Sequence, residues 1–325
     1  MDRVEIIENW LKSQLNQNFT IEPASSDASF RHYFRITSNN ETYILMDAPP
    51  DLEKIDHFLD ITEKLNGADI NVPKIISSDT KLGLILMTDF GSQTYLDVLS
   101  GNKLGMFRQE LYSAAIDSLI NIQTKVIPWG LQDYSEELSI SEMSLFPKWY
   151  LEKFKKFKLQ DQEKFVLNKI FSEIAGYSAG EVFVHRDYHS RNLMFIKDGG
   201  PGILDYQDAV VGPCTYDLVS LLKDAYIELD EEFIVEQVAR YWEKVENLDH
   251  PYMLSPDFEC FYKNFEMMGV QRHLKILGIF SRLSIRDKKN QYLKDIPLVE
   301  KYLMRTTERY DELHPLRRIL DKVVS

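Results

Sequence analysis

Between Val182 and Asp208 the chain reads VFVHRDYHSRNLMFIKDGGPGILDYQD. Asp187 is followed five residues later by Asn192 and, thirteen beyond that, by Asp205. Asn192 and Asp205 carry hard oxygen donors that suit Mg²⁺, an ion that keeps several waters and shares its other positions with nucleotide phosphates. Asp187 is left to accept a proton from an attacking hydroxyl. A base and two metal ligands are the parts of phosphoryl transfer, where positioning and charge neutralisation supply most of the rate.

Local elements must hold these groups in place. Residues 181–184 read as a short buried strand ending at His185, and residues 193–196 as another. GGPG turns the chain, and ILDYQD reads as a third strand that delivers Asp205. The three oxygen-bearing side chains are expected to gather near adjacent strand ends. HRDYHSRN follows the kinase catalytic-loop pattern H-R-D-L-x-x-x-N with Tyr188 for Leu. LDYQD stands in the place of the metal-binding D-F-G, with Tyr206 for Phe and Gln207 for Gly. A competing use of the stretch, His185 and His189 as a zinc pair at i and i+4, needs a helix, and the flanks read as strands.

The rest of the chain supplies a scaffold of matching type. MDRVEIIENWLKSQL is an acidic amphipathic helix. RHYFRIT and ETYILMDA are strands joined through Ser38, Asn39 and Asn40 as a hairpin. Leu52, Ile55, Leu59 and Leu65 mark one face of a helix that stops at Gly67. VPKIISS and LGLILMTDF form two more strands. From YLDVL onward the pattern is helical, apart from the motif stretch. The fold class expected is α+β and bilobal: a small sheet-rich lobe with one helix over residues 1–91, hinged to a large, mainly helical lobe over 92–325.

Bulk composition narrows the partners. Of 325 residues, 44% are hydrophobic and 27% charged, as in ordinary globular chains. The net charge of −13 argues against non-specific nucleic-acid binding, which needs Lys and Arg on phosphates. It leaves room for a small phosphate ligand held by local cations or a metal ion. Cys214 and Cys260 form no CxxC pair and read as inert packed thiols in a reducing compartment. The N-terminal segment lacks a basic region followed by an apolar core, and no run approaches the ~18 apolar residues of a membrane span. A cytoplasmic protein without a membrane partner is expected.

With SDASFRHYFRI, YILMDAPP, HRDYHSRNLM, LDYQDAVVGPCTYDLVSLLKDAY and MGVQRHLKILGIFSRL in view, the sequence resembles the aminoglycoside phosphotransferase family, a branch of the protein-kinase-like fold. Within it, the sequence is similar to the anomeric N-acetylmuramate/N-acetylglucosamine kinases of bacterial cell-wall recycling. The resemblance implies ATP and Mg²⁺, with transfer of the γ-phosphate to the C1 hydroxyl of an amino sugar. By position it makes Asp187 the base and Asn192 and Asp205 the metal ligands. It sets His189 where protein kinases place a Lys near the γ-phosphate. Only eleven residues separate Asp205 from Asp217, too few for an activation segment that docks a peptide, so a small acceptor is expected rather than a protein. Asp217 is expected to cap its helix or brace the catalytic loop.

The N-terminal lobe departs from the usual kinase pattern. Its phosphate-covering loop, PASSDASFRHY, has no Gly, so Ser25, Ser26 and Ser29, with Phe30, are candidates to approach the nucleotide. Met46 stands near the position that usually holds the phosphate-pairing Lys. Arg31 or Arg35 could take over that charge, since a guanidinium reads phosphate well. Glu53, Asp56, Asp60 and Glu63 compete as the acidic partner. The backbone of Asp89, Phe90 and Gly91 is the expected hinge facing adenine, with Met87 lining the pocket. Asp208, Gln271, Arg272, His273 and Arg282 are acceptor-site candidates, an Arg being suited to a lactyl carboxylate. Two other functions fit the motifs: an aminoglycoside or other small-molecule kinase, and a catalytically inactive nucleotide-binding protein.

Overall fold

The computed structural model describes residues 2–15, 18–26, 31–101, 106–178, 180–197, 199–248 and 255–324. The chain forms two compact units: Met1–Thr94 with Leu193–Gln207, and Tyr95–Asn192 with Asp208–Ser325.

The first unit begins with α1 (Arg3–Leu15), followed by β1 (Thr20–Ser26), β2 (His32–Ser38), β3 (Glu41–Asp47), α2 (Asp56–Gly67), β4 (Ile75–Asp79) and β5 (Leu84–Thr88). The strands form one antiparallel sheet in the order β1-β2-β3-β5-β4. Asn39 and Asn40, at φ 50° and 64°, close β2 onto β3 with Ser38 opposite Glu41. Two consecutive left-handed residues match the twist of the flanking strands. Ile7, Trp10 and Leu11 of α1 bury one face of the sheet against Ile36, Leu45, Leu84 and Leu86. Arg3 Nε fixes the helix start by donating to Asp47 Oδ1 at 2.9 Å.

Two features of the N-terminal part of this unit differ from the sequence expectation. Residues 20–26 form a strand, because Pro23 is tolerated on a sheet edge where its missing N–H faces no partner. Ser26 thus lies in an edge strand opposite His32, while Ser29 and Phe30 fall outside the described residues. α2 begins at Asp56 rather than near Leu52. The Leu52 and Glu53 N–H groups bond to Pro49 O in a turn, and Leu52 is exposed.

The second unit opens with α3 (Tyr95–Ser100), α4 (Met106–Lys125), α5 (Glu136–Met143), a π-helix over Phe146–Phe154, α6 (Asp161–Ala175) and β6 (Val182–Val184). The chain then returns to the first unit, where β7 (Leu193–Met194) and β8 (Gly202–Ile203) pair with each other. Met194 bridges Thr94, and Ile203 N donates to Asn71 O at 2.9 Å. Back in the second unit, β9 (Val210–Gly212) pairs antiparallel with β6. There follow α7 (Thr215–Leu222), α8 (Glu231–Glu246), α9 (Phe258–Asp287), α10 (Ile296–Arg309) and α11 (His314–Leu320). The core gathers on α9, where Val270, Leu274 and Leu277 meet Phe146 and Tyr150 of the π-helix, Ile170 and Phe171 of α6, and Val299 and Leu303 of α10.

ILDYQD is not a continuous strand: pairing ends at Ile203, and Asp205 takes a left-handed backbone at φ 64°. Cys214 is largely covered, and burial pushes its thiol up to about 11. Cys260, by contrast, is exposed on the first turn of α9, so it is not a packed thiol. No helix among the described residues is long and apolar enough to cross a membrane.

Candidate active site

In the second unit, β6 delivers the chain to His185 and the catalytic-loop residues. Arg186 sits in left-handed backbone at φ 75°, a conformation that costs about 1–2 kcal/mol for a side chain with a Cβ. Its surroundings over-determine it. The His185 and Arg186 N–H groups donate to the two oxygens of Asp217 at 2.6 and 2.9 Å. Arg186 O accepts from Arg272 at 2.7 Å, Arg186 Nη1 donates to Asp208 O, and Arg186 pairs with Glu142. Asp217, in the first turn of α7, is therefore the brace of this loop. Burial pushes its carboxyl up to about 7, against the two N–H donors.

Further along, the His189 N–H donates to Asp187 O at 3.0 Å, and Asn192 Nδ2 donates to the same oxygen at 3.0 Å. That bond orients the Asn192 carboxamide and commits its nitrogen, so its oxygen is the ligand atom a cation would use. Tyr188, in the usual Leu position, is fully buried and donates to Ala115 O of α4 at 2.8 Å. Ser190 N donates to Asp224 at 3.0 Å, a second brace just beyond α7. The loop is not helical, so the i, i+4 spacing of His185 and His189 does not put both rings on one face. His185 edges onto Tyr188 and His189 onto Tyr226.

The electrostatics single out Asp187. Its side chain is 42% exposed, while Arg272, 3.8 Å away, is 5% exposed. Burial favours the neutral acid, but the charges of Lys275 and Arg272 outweigh it and hold the carboxyl well below the usual range. His189 moves the other way: burial lowers its pKa, so it is a neutral imidazole at pH 7. Beneath the loop, Glu142 of α5 accepts from Tyr134 Oη at 2.7 Å, Gln271 Nε2 at 3.0 Å, Lys275 at 2.8 Å and Arg186. Although burial opposes ionisation, Lys275 and Arg186 pull its carboxyl down to about 2.

The acceptor candidates separate. Asp208 is exposed at the end of the motif stretch. Arg272 and Gln271 are buried in the polar network under the loop. His273 is buried, stacked on Tyr302 at 5.1 Å, with Nε2 3.2 Å from Lys223 O. Arg282 is half-buried near the far end of α9, and burial lowers its pKa.

In the first unit, Asp205 accepts from Gln207 Nε2 at 2.8 Å. Tyr206 stacks on Phe58 of α2 at 5.2 Å, and its hydroxyl lies 2.9 Å from Thr62 Oγ1. The expected hinge is stiffened by Arg35, which donates to both Asp89 oxygens at 2.6 and 3.1 Å and to Gly91 O at 2.8 Å. Burial opposes ionisation of Asp89, but the Arg35 hydrogen bond, the Gly91 N–H and the Arg35 charge together outweigh it and lower the pKa. Met87 is buried on β5, and Phe90 packs against Gly202. Arg31, at the foot of β2, is buried and ion-paired with Glu53, just before α2. Of the four acidic candidates, Glu53 is the one so paired.

Sequence reasoning missed Glu142, Lys275 and Asp224. Asp224 had a partial signal, since it follows Asp217 by seven residues in a stretch that reads as one helix, although the helix ends at Leu222. Glu142 had none: it lies 44 residues before Arg186 in a short polar helix.

The profile of the phosphotransferase enzyme family (APH) matches residues 20–249. The chain belongs to this family. It is 40% identical over 333 residues to an N-acetylmuramate/N-acetylglucosamine kinase of Pseudomonas aeruginosa, covering 98% of this chain and 96% of the relative. A protein of the same name from Neisseria meningitidis serogroup B is 38% identical over 332 residues, covering 100% and 97%. Among solved structures, choline kinase LicA from Streptococcus pneumoniae superposes with a TM-score of 0.65 at 12% identity, covering 93% of this chain and 99% of that one. ADP-bound aminoglycoside phosphotransferase APH(2'')-Ib gives 0.61 at 15%, covering 91% and 96%. The fold is therefore protein-kinase-like and α+β, and the protein is a phosphotransferase.

Proposed function

We propose that this phosphotransferase moves the γ-phosphate of ATP to the anomeric hydroxyl of N-acetylmuramate or N-acetylglucosamine, yielding the sugar 1-phosphate. The observation that carries the reading is 38–40% identity, over nearly the whole chain, to two kinases named for those sugars. Asp187 accepts the proton of the attacking hydroxyl. A carboxylate held below the ordinary range is a weak base, so it takes the proton late, as the O–P bond forms and the hydroxyl becomes acidic. Asp217, Asp224 and Glu142 keep the loop in place for this step. Neutral His189 offers a hydrogen-bond donor rather than a second cation.

Asn192 and Asp205 are an amide oxygen and a carboxylate, a hard donor set that fits Mg²⁺ and not a thiophilic metal. When bound, the ion neutralises phosphate charge. The Asp89–Gly91 backbone and Met87 receive the adenine, with Phe90 beside them and Ser26 and Arg31 toward the phosphates. Ser29 and Phe30 belong to the same proposed nucleotide set. Asp208 faces the acceptor, with Arg272 and His273 behind it. The cations around Asp187 disfavour a polycationic aminoglycoside acceptor.

A transfer screen with N-acetylmuramate, N-acetylglucosamine, kanamycin and choline tests the reading, with the phosphorylated atom assigned by NMR. Phosphate on C1 of an N-acetyl sugar is expected. Turnover of kanamycin or choline alone would overturn it. Asp187→Asn is expected to cut kcat by at least about 10²-fold while ATP still binds; full activity would remove Asp187 from the mechanism.

A further inference from the structure

Cations crowd the second unit around the catalytic loop, and nearly all of them are committed. Arg186 and Lys275 pair with Glu142, Lys223 pairs with Glu266, and Arg272 is held by Arg186 O and Asp187. Arg191 is different. It lies between Ser190 and Asn192, four residues from Asp187, and is half-buried. Among the described residues it makes no ion pair within 4.0 Å. Its guanidinium instead lies 3.6 Å from the centre of the Tyr226 ring and 5.9 Å from that of Tyr292.

The neighbours define a small aromatic corner. Tyr226 meets the His189 ring at 5.4 Å and Phe280 at 6.2 Å, and Phe280 meets Tyr292 at 5.2 Å. The nearby carboxylates do not claim the cation. Asp224 is spent on Ser190 and on the Tyr226 N–H. Asp295 is close enough to feel the charge of Arg191 but does not pair with it. A guanidinium steadied on an aromatic face keeps its N–H edge available, and that edge matches a carboxylate. Arg272, the natural choice from sequence, cannot serve without abandoning Asp187.

We infer that Arg191, stacked on Tyr226 and flanked by Tyr292, is the specificity residue that reads the carboxylate of an acidic amino-sugar acceptor. The inference rests on the sugar-kinase reading above. It makes the corner formed by Arg191, Tyr226 and Tyr292 the part of the acceptor site that separates a sugar bearing a lactyl group from one with a free hydroxyl at that position.

The test compares N-acetylmuramate with its methyl ester, which adds one methyl group and removes the negative charge. In the wild type, kcat/KM for the acid is expected to exceed that for the ester by roughly ten- to a hundredfold, the usual range for a hydrogen-bonded charge. In Arg191→Gln the ratio should fall to within about twofold of one, mostly through KM for the acid. Arg191→Lys keeps a cation without the fork and should give a ratio between the two. It carries the test if the Gln variant does not fold. A wild-type ratio near one, a ratio unchanged in the variants, or a rise in KM for ATP alone would overturn the inference while leaving the sugar kinase intact. Failure of the wild type to phosphorylate acid, ester or N-acetylglucosamine would instead remove the underlying function.

Discussion

A nucleotide kinase needs a cation held against the phosphates, and β3 carries Met46 where a lysine usually stands. We propose that Arg31, just ahead of β2 and ion-paired with Glu53 just ahead of α2, supplies the same chemistry from different positions. Replacing Arg31 by Ala is expected to lower kcat/KM for ATP by about tenfold or more, with a smaller loss in Glu53→Gln, where the cation remains but loses its brace. Steady-state kinetics with ATP varied at saturating sugar checks this; an unchanged KM for ATP in both variants would remove the pair from the nucleotide site. Arg35 illustrates the limit of residue type as a guide. It was an equal candidate in sequence, yet its fork is spent on Asp89 and Gly91. Which of the two arginines is committed to which partner depends on residues 22 to 56 positions away along the chain, and local pattern does not contain them.

At the scale of elements, what decided legibility was whether a segment's own pattern matched its place. The β2–β3 hairpin was readable because Asn39 and Asn40 tolerate left-handed backbone. The edge strand β1 was not, since Pro23 and three serines or threonines look like a loop until a neighbouring strand pairs with them. Asp205 looked like a strand residue because Ile203, Leu204 and Tyr206 are apolar, but a two-residue hairpin is all that pairs. That hairpin is tight. A methyl group on Gly202 would lie 2.5 Å from a carbon of the Phe90 ring, so Gly202→Ala should force Phe90 aside and cost about 1–3 kcal/mol. A lower melting temperature together with a raised KM for ATP is expected; a change in neither would mean Phe90 moves freely. Helix α7 offers a second test. Asp217→Asn puts an amide N–H₂ against one of two backbone donors, and should cost roughly 1–3 kcal/mol and reduce kcat by loosening the loop. ATP affinity is expected to stay within about twofold, since the loss is in positioning rather than binding.

For the molecule as a whole, the net charge of −13 hides a group of covered cations beneath the catalytic loop, and Glu142 is the counter-charge to two of them, Arg186 and Lys275. One carboxylate from α5 ties together the loop before it through Tyr134, the catalytic loop through Arg186, and α9 through Gln271 and Lys275. Composition and motif could show that the chain is acidic and that a loop needs bracing. They could not show that the brace comes from a short polar helix far upstream, because that pairing exists only once α9 has packed. The coupling has a pH signature. Glu142 has a folded-state value of about 2 against an ordinary 4.5, so its ionised form is favoured by folding. Its contribution is complete above about 4.5 and is lost as the pH falls toward 2, amounting to about 3 kcal/mol over that window. Glu142→Gln should therefore be less stable at pH 7, because Arg186 and Lys275 lose their counter-charge, and its stability should fall less steeply than the wild type's between pH 4.5 and 3. Urea unfolding at pH 7, 4.5 and 3 measures both effects at once. Parallel acid limbs for the two proteins would mean that the proton driving the transition binds elsewhere, and that Glu142 holds the catalytic loop by shape alone.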